Sequence, residues 1–457
     1  MAPLGTVSFL SCELAAGRTT SRRLVDLALS RIAEPSGEGS RAFMKVYQEA
    51  ALAEAEASDR LRALGVVRSP IEGIPISVKD LFDISGDVTR AGSVALASNP
   101  PATADAVAVA RLRAAGAVIV GRTAMVEFAF GGVGTNPHYG APKNPYDRAG
   151  GGRIPGGSSS GAAVAVADGF CAMGLGSDTR GSVRIPSALC GVTGFKPTQS
   201  RVPRDGAFPL SYTLDSVGPI ANSVACCAVY DAILAAEKPA ASVSAPPPLP
   251  ASQMQLLVPK GHLFDGLDPL VAAAFERSVA LLRQAGATVV EREAPVLARA
   301  QGLYAGGGFA GPEAFHIHRP ILALHRDKYD PRVASRIAAG ESFSAADYIQ
   351  LGYERAEVIA ESRRLLHGFH AMIYPTSAIV APTIAEAESD DATYATMNLL
   401  LLRNTGLANM LDGCAASLPC HRPGEAPVGL TVAGMGGDDA MVLSVAQGVE
   451  AVLGAAK

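Results

Sequence analysis

The sequence has no tryptophan and only 5% aromatic residues, so its core cannot be built around large rings and must pack Ala, Val, Leu and Gly. Charge is sparse as well: charged residues make up 18%, the net charge is −4, and no block of Lys and Arg stands out. Without a positive field the chain is a poor binder of a phosphate backbone, which argues against direct contact with nucleic acid. No apolar run is long enough to span a bilayer, and residues 1–17 lack the basic start of a secretion signal. Membrane insertion and export are therefore not expected, and a cytoplasmic location is. The seven cysteines, at positions 12, 171, 190, 226, 227, 414 and 420, include no CxxC, and no His stands at zinc-finger spacing. They read as reduced and mostly buried, and neither a metal site nor a cofactor is expected.

What the chain has is apolar content, 48% of 457 residues, with 48 Gly and 31 Pro. A sizeable core with many tight turns follows. Helical spacing predicts helices over residues 19–33, 47–64, 104–115, 161–169, 224–236 and 269–285. A mostly helical stretch is expected over 334–369, with a break at Gly340. β-Branched or continuous apolar runs predict strands over 74–80, 117–121, 171–176, 256–258, 287–292, 371–374 and 428–433. Helix and buried strand alternate, which points to α/β layering. The Pro-rich segment at about 239–252 fits either a domain boundary or a surface excursion between a helix and a strand of one sheet. The excursion is the preferred reading, which makes residues 1–457 a single domain.

Chemistry concentrates between residues 136 and 198. Gly156-Gly157-Ser158-Ser159-Ser160-Gly161 puts three hydroxyls in a flexible backbone just ahead of a helix. A helix N-cap accounts for that pattern, and a phosphate-cradling turn lacks its Gly-Lys-Ser/Thr ending. The G-x-S-x-G elbow that would make Ser159 a nucleophile needs a preceding strand, and Gly150-Gly151-Gly152-Arg153-Ile154-Pro155 is not one. A second Ser-bearing turn, Gly176-Ser177-Asp178-Thr179-Arg180-Gly181-Ser182, lies 24 residues on, counted from Ser158 to Ser182. Serine alone cannot cleave an amide: it needs a base, an oxyanion cradle and a proton for the leaving nitrogen. The eight His have no obvious Asp companion in sequence. Lys79, ending an apolar strand, is the better base, because burial lowers a lysine pKa toward neutrality. By itself such a lysine is more often a snorkelling surface residue.

These blocks, with the run Ile185-Pro186-Ser187-Ala188-Leu189-Cys190-Gly191-Val192-Thr193-Gly194-Phe195-Lys196-Pro197-Thr198, closely resemble the amidase signature family. The likeness extends through Gly73-Ile74-Pro75-Ile76-Ser77-Val78-Lys79-Asp80, Glu127-Phe128-Ala129, Asn144-Pro145-Tyr146-Asp147, Leu214-Asp215-Ser216-Val217-Gly218-Pro219 and Pro427-Val428-Gly429-Leu430. The resemblance implies an α/β amidase-signature fold, a mixed sheet sandwiched between helices, and a Ser-cisSer-Lys triad. By matching position Ser182 is its nucleophile, Ser158 its cis-peptide relay and Lys79 its base. It further implies an oxyanion hole from the main-chain N–H groups of Thr179, Arg180, Gly181 and Ser182. Ser159 is expected to support the relay, Asp178 to orient the loop and Arg184 to fix the turn.

The sequence departs from the family at Arg180, where a small residue is usual. Two readings stand: an arginine turned outward or paired with an acid, and a guanidinium that binds a substrate carboxylate. The Thr-Arg-Gly-Ser turn, short N-terminal region and length most resemble the carboxybiuret hydrolases of s-triazine (cyanuric acid) degradation. That likeness implies a small, anionic, urea-like amide as substrate, release of ammonia, oligomerisation, and an accessory subunit similar to the amidotransferase C subunit. Alternatives are an aminoacyl-tRNA amidotransferase A subunit, against which Val126 counts because an Asp is usual there, a general aliphatic amidase or esterase, and a catalytically idle subunit, which would not need Lys79, Ser158 and Ser182 together.

Overall fold

The computed structural model describes residues 3–455, so the ends of the expected 1–457 unit lie outside the described residues. Among the described residues the strands are β1 (Phe43–Val46), β2 (Pro75–Lys79), β3 (Val118–Thr123), β4 (Met173–Asp178), β5 (Thr193–Lys196), β6 (Ser216–Ala221), β7 (Gln255–Lys260), β8 (Thr288–Glu293), β9 (Ala371–Pro375), β10 (Cys414–Pro419) and β11 (Gly429–Gly434). They join one eleven-stranded sheet in the order β1-β3-β2-β4-β6-β5-β10-β11-β9-β7-β8. The sheet is mixed: β3, β2 and β4 run parallel, β4 through β9 are linked by antiparallel pairs, and β9, β7 and β8 are again parallel.

Both faces are covered. Along β7 and β9, Leu256, Val258, Ala371 and Ile373 enter one apolar core, whereas Leu257, Met372 and Tyr374 enter another on the opposite side. That alternation is the period of two of a strand buried on both faces. The helices Ser160–Ala167 and Arg184–Cys190 are buried along nearly their whole length, which is why they carry small and apolar residues on every side and show no amphipathic stripe.

Expected elements recur with small shifts: helices Ser21–Ile32, Gln48–Ala63, Val224–Ala235 and Pro269–Gln284 match, while that expected over 104–115 shortens to Val107–Ala114. The break near Gly340 is a short 3-10 turn, Ala339–Ser342, between Pro331–Ala338 and Ala345–Leu366. The Pro-rich stretch leads from helix Val224–Ala235 to β7 of the same sheet, and it is pinned to helix Asp439–Gly454 by Ser444 Oγ, which donates to the Pro247 carbonyl at 2.6 Å. Elements outside those expected from sequence include β1, β5, β6 and β10 and the helices Val7–Ala15, Arg184–Cys190, Pro295–Gly302, Ala310–His325, Asp391–Met410 and Asp439–Gly454. Gly194, Gly218 and Pro219 interrupt the apolar runs of β5 and β6. At Gly218 a Cβ would lie 2.1 Å from the Phe195 carbonyl oxygen, so only glycine lets these strands approach. Among the described residues, no helix is long and apolar enough to cross a membrane, and all seven cysteines are free, with Cys12 alone exposed.

Candidate active site

Because β2 and β4 are parallel neighbours, with Val78 in register with Leu175, the end of β2 lies beside the end of β4. Lys79, the last residue of β2, is wholly buried. Its Nζ lies 2.8 Å from Ser158 Oγ and 2.9 Å from Ser177 Oγ. Burial pushes the Lys79 amine down to about 7, with Asp178 and Asp215 pulling partly the other way. Lys196, a second buried lysine, is a useful contrast. It donates to the carbonyls of Pro197 (2.7 Å) and Gly413 (2.6 Å). Carbonyls have no proton to give, so Lys196 ties the chain together, whereas Lys79 faces hydroxyls that can exchange one.

Ser158 follows a cis Gly157–Ser158 peptide bond. Its carbonyl accepts from Val126 N at 3.1 Å, and Gly157 N donates to the Gly132 carbonyl at 2.7 Å. Segment 126–132 thus clasps the serine-bearing turn. Ser159 meets both turns: its N–H donates to the Ser182 carbonyl at 3.2 Å, and its hydroxyl to the Ser177 carbonyl at 3.4 Å. The Ser159 hydroxyl therefore reaches main chain and not the Ser158 or Ser182 hydroxyl.

The turn carrying Ser182 is built around Asp178. Burial would raise this carboxyl, but the Arg184 guanidinium, Lys196 and Asn409 outweigh it and hold the group at about 2. Arg184 pairs with both oxygens, Nη2 to Oδ1 at 2.9 Å and Nε to Oδ2 at 3.1 Å, while Asn409 Nδ2 donates to Oδ1 at 3.0 Å. The same carboxylate accepts from Gly181 N at 2.8 Å and Val183 N at 3.1 Å, curling the chain so that Ser182 sits at its apex. Gly181 has φ +124°, and a Cβ there would lie 2.2 Å from Thr405 Oγ1, so no other residue fits.

This corrects one expectation. The Gly181 amide, assigned to the oxyanion hole, is already taken by Asp178. Among the described residues the amides of Thr179, Arg180 and Ser182 have no acceptor and remain available, and the Ser182 hydroxyl makes no hydrogen bond. Thr179 is fixed through its side chain, which donates to Asp215 Oδ1 at 2.6 Å.

Arg180 is half-buried and pairs with no acid among the described residues. Its guanidinium stacks on Tyr304 with the central carbon 3.9 Å from the ring centre, and Thr405 Oγ1 donates to its carbonyl at 2.7 Å. With its amide oriented to donate to the Arg403 carbonyl (3.0 Å), Gln301 accepts from Arg180 Nη2 at 3.2 Å. Nε is buried and without a partner. A Cβ at Gly406 would lie 3.0 Å from Arg180 Cγ, so that glycine gives the arginine its berth.

Sequence reasoning named Lys79, Ser158, Ser182, Asp178 and Arg184, of which the structure brings Lys79 against Ser158, Asp178 against Arg184 and the Ser182 carbonyl against the Ser159 N–H. It missed Ser177, Asn409, Thr405 and Tyr304. Ser177 was visible within the second turn; the others lie 124 to 231 residues from the groups they touch, and no local pattern marks them. Histidine rings with side-chain partners that the sequence could not reveal include His138, whose Nε2 is 2.9 Å from Glu127 Oε1, and His318, whose Nδ1 is 3.0 Å from Tyr329 OH. Among the described residues no group of three or more His, Cys, Asp or Glu side chains is placed to hold a metal ion.

The Amidase family model matches residues 23–443. The chain is 35% identical to 2-amino-5-chloromuconic acid deaminase of Comamonas testosteroni, over 88% of this chain and 86% of that one. It is 37% identical to the 1-carboxybiuret hydrolase subunit AtzE of Pseudomonas sp. (strain ADP), over 81% of each. A crystal structure of an amidase superposes with a TM-score of 0.86 at 34% identity, covering 98% of this chain and 99% of that one. The chain belongs to the amidase signature family, enzymes that hydrolyse carbon–nitrogen bonds.

Proposed function

We propose that this enzyme cleaves a linear amide through a Ser-cisSer-Lys triad and an acyl-enzyme, releasing ammonia. The observation that carries the reading is the buried Lys79 amine 2.8 Å from the Ser158 hydroxyl, held near neutrality by burial. Ser182 Oγ attacks the amide carbon as its proton passes to Ser158 and the Ser158 proton passes to Lys79 Nζ. The carbonyl oxygen becomes an oxyanion and accepts from the amides of Thr179, Arg180 and Ser182, which cost no reorganisation because the Asp178 cradle already fixes the turn. The C–N bond breaks as the proton returns through Ser158 to the nitrogen. Water then attacks the ester, giving one proton back along the relay, and the acid leaves with Ser182 restored.

The substrate we infer is small, anionic and urea-like, such as 1-carboxybiuret. Two features support this: a guanidinium with a buried, unpartnered Nε beside the oxyanion turn, and the names of two relatives, a muconic acid deaminase and a carboxybiuret hydrolase. A carboxylate would satisfy Arg180 by a charge-assisted pair. The word subunit in the second name supports an assembly with a small accessory chain. The test is ammonia release from carboxybiuret, biuret, allophanate, glutamine and simple aliphatic amides by wild type, Lys79→Ala and Ser182→Ala. Turnover of at least one amide that vanishes in both folded variants is expected; full turnover in either refutes the triad.

A further inference from the structure

Lys79 has two hydroxyl neighbours, and the proton transfer above uses only one. A neutral amine carries two N–H bonds and a single lone pair. To take the Ser158 proton, Lys79 must aim that lone pair at Ser158 Oγ, yet rotation about the Cε–Nζ bond is otherwise free. An acceptor on the other side removes the freedom. Ser177 Oγ, 2.9 Å from Nζ, takes one N–H and leaves the lone pair directed at Ser158, 2.8 Å away.

Ser177 is itself held firmly. It lies in β4, in register with Val217 of β6, and its carbonyl accepts the Ser159 hydroxyl at 3.4 Å. Beyond it lies a cavity of about 410 Å³ walled by Leu81, Ala129, Phe208 and Tyr212, so the serine stands between the buried amine and space that water can enter. Charges facing Lys79 come from Asp178 on β4 and Asp215 ahead of β6. Both carboxylates are already engaged, Asp178 by Arg184 and Asp215 by Thr179, and neither replaces the Ser177 hydroxyl as a partner of Nζ.

We propose that Ser177 is a positioning residue that turns the Lys79 lone pair onto Ser158. It acts through Lys79 and forms no bond in the reaction, and the proposal rests on the reading of Lys79 as the base. Ser177 also accepts from the protonated amine, so its loss disfavours the ammonium form.

The experiment is a kcat and kcat/KM profile against pH for wild type, Ser177→Ala, Ser177→Thr, Ser177→Cys and Lys79→Ala, each checked for folding by circular dichroism. Ser177→Ala is expected to move the acid limb to lower pH by roughly one unit, the scale of one hydrogen bond to a charged group. Its plateau kcat should fall roughly tenfold or more, because the base is no longer aligned. Ser177→Thr keeps the hydroxyl and should restore both. A folded Ser177→Ala enzyme with the wild-type limb and plateau overturns the proposal. If that variant does not fold, Ser177→Cys decides: its weak thiol acceptor should shift the limb in the same direction by less, and an unmoved limb overturns the proposal. Lys79→Ala separates the two readings. Full activity there removes the base itself, whereas an inactive Lys79→Ala beside an unaltered Ser177→Ala removes only the role of Ser177.

Discussion

Arg184 and Asp178 form a two-point ion pair in which both side chains are fully buried. The pair makes no hydrogen bond to Ser182, yet it shapes the turn that carries it, since the same carboxylate gathers the amides of Gly181 and Val183. Removing one partner leaves an uncompensated buried charge, a change that typically costs about 3–5 kcal/mol. Arg184→Met should therefore lower the unfolding free energy by an amount in that range in urea titration, with kcat reduced in whatever protein stays folded.

The same pair sets an acid limit to stability. Asp178 is depressed to about 2 in the fold, against about 3.9 in an unfolded chain. A depressed carboxyl stabilises above its unfolded pKa and loses that contribution as pH falls through its folded pKa. Stability measured by thermal melting should fall between about pH 4 and pH 2 in wild type. In Arg184→Met the Asp178 part of this fall should shrink, because the carboxyl has lost the guanidinium that depressed it.

Catalysis has its own pH dependence, opposite in origin. The Lys79 base works when neutral, and its amine is brought down to about 7. The profile of kcat/KM should rise through about pH 7 and level above it. A profile flat from pH 5 to 9 would mean that no group titrating near neutrality is used in the free enzyme.

Arg180 should govern which amide is accepted. Arg180→Ala should weaken kcat/KM for a carboxylate-bearing amide by about 10- to 100-fold, as expected for a lost charge-assisted hydrogen bond, while neutral amides change little. Arg180→Lys should recover only part of it, since an ammonium lacks the planar fork and does not stack on Tyr304 in the same way. Equal losses on anionic and neutral amides would contradict a carboxylate clamp.

Much of this site is legible in the sequence because its reacting groups sit in two short Gly- and Ser-rich turns and at one strand end. Lys79, Ser158 and Ser182 could each be named from local pattern and family resemblance. What could not be read is how the turns are braced. The Gly181 amide looks like any other donor until the Asp178 carboxylate is seen to occupy it. Thr405 and Asn409 come from the last ten residues of helix Asp391–Met410, which are almost wholly buried, so that half shows no exposed polar stripe to betray its direction. Strands such as β6 escaped for a related reason: a buried strand that must let neighbouring backbones approach uses Gly and Pro, residues that in sequence read as turns.

The central claim is that Ser182 becomes acylated with help from Ser158 and Lys79. Its most direct test is labelling with a fluorophosphonate at pH 8, followed by mass mapping of the adduct in wild type and in the Ser182→Ala, Ser158→Ala and Lys79→Ala variants. The account predicts a single adduct on Ser182, absent from Ser182→Ala and formed on the order of 100-fold more slowly without either helper. An adduct on any other residue, or unchanged labelling of Ser182→Ala, would contradict it.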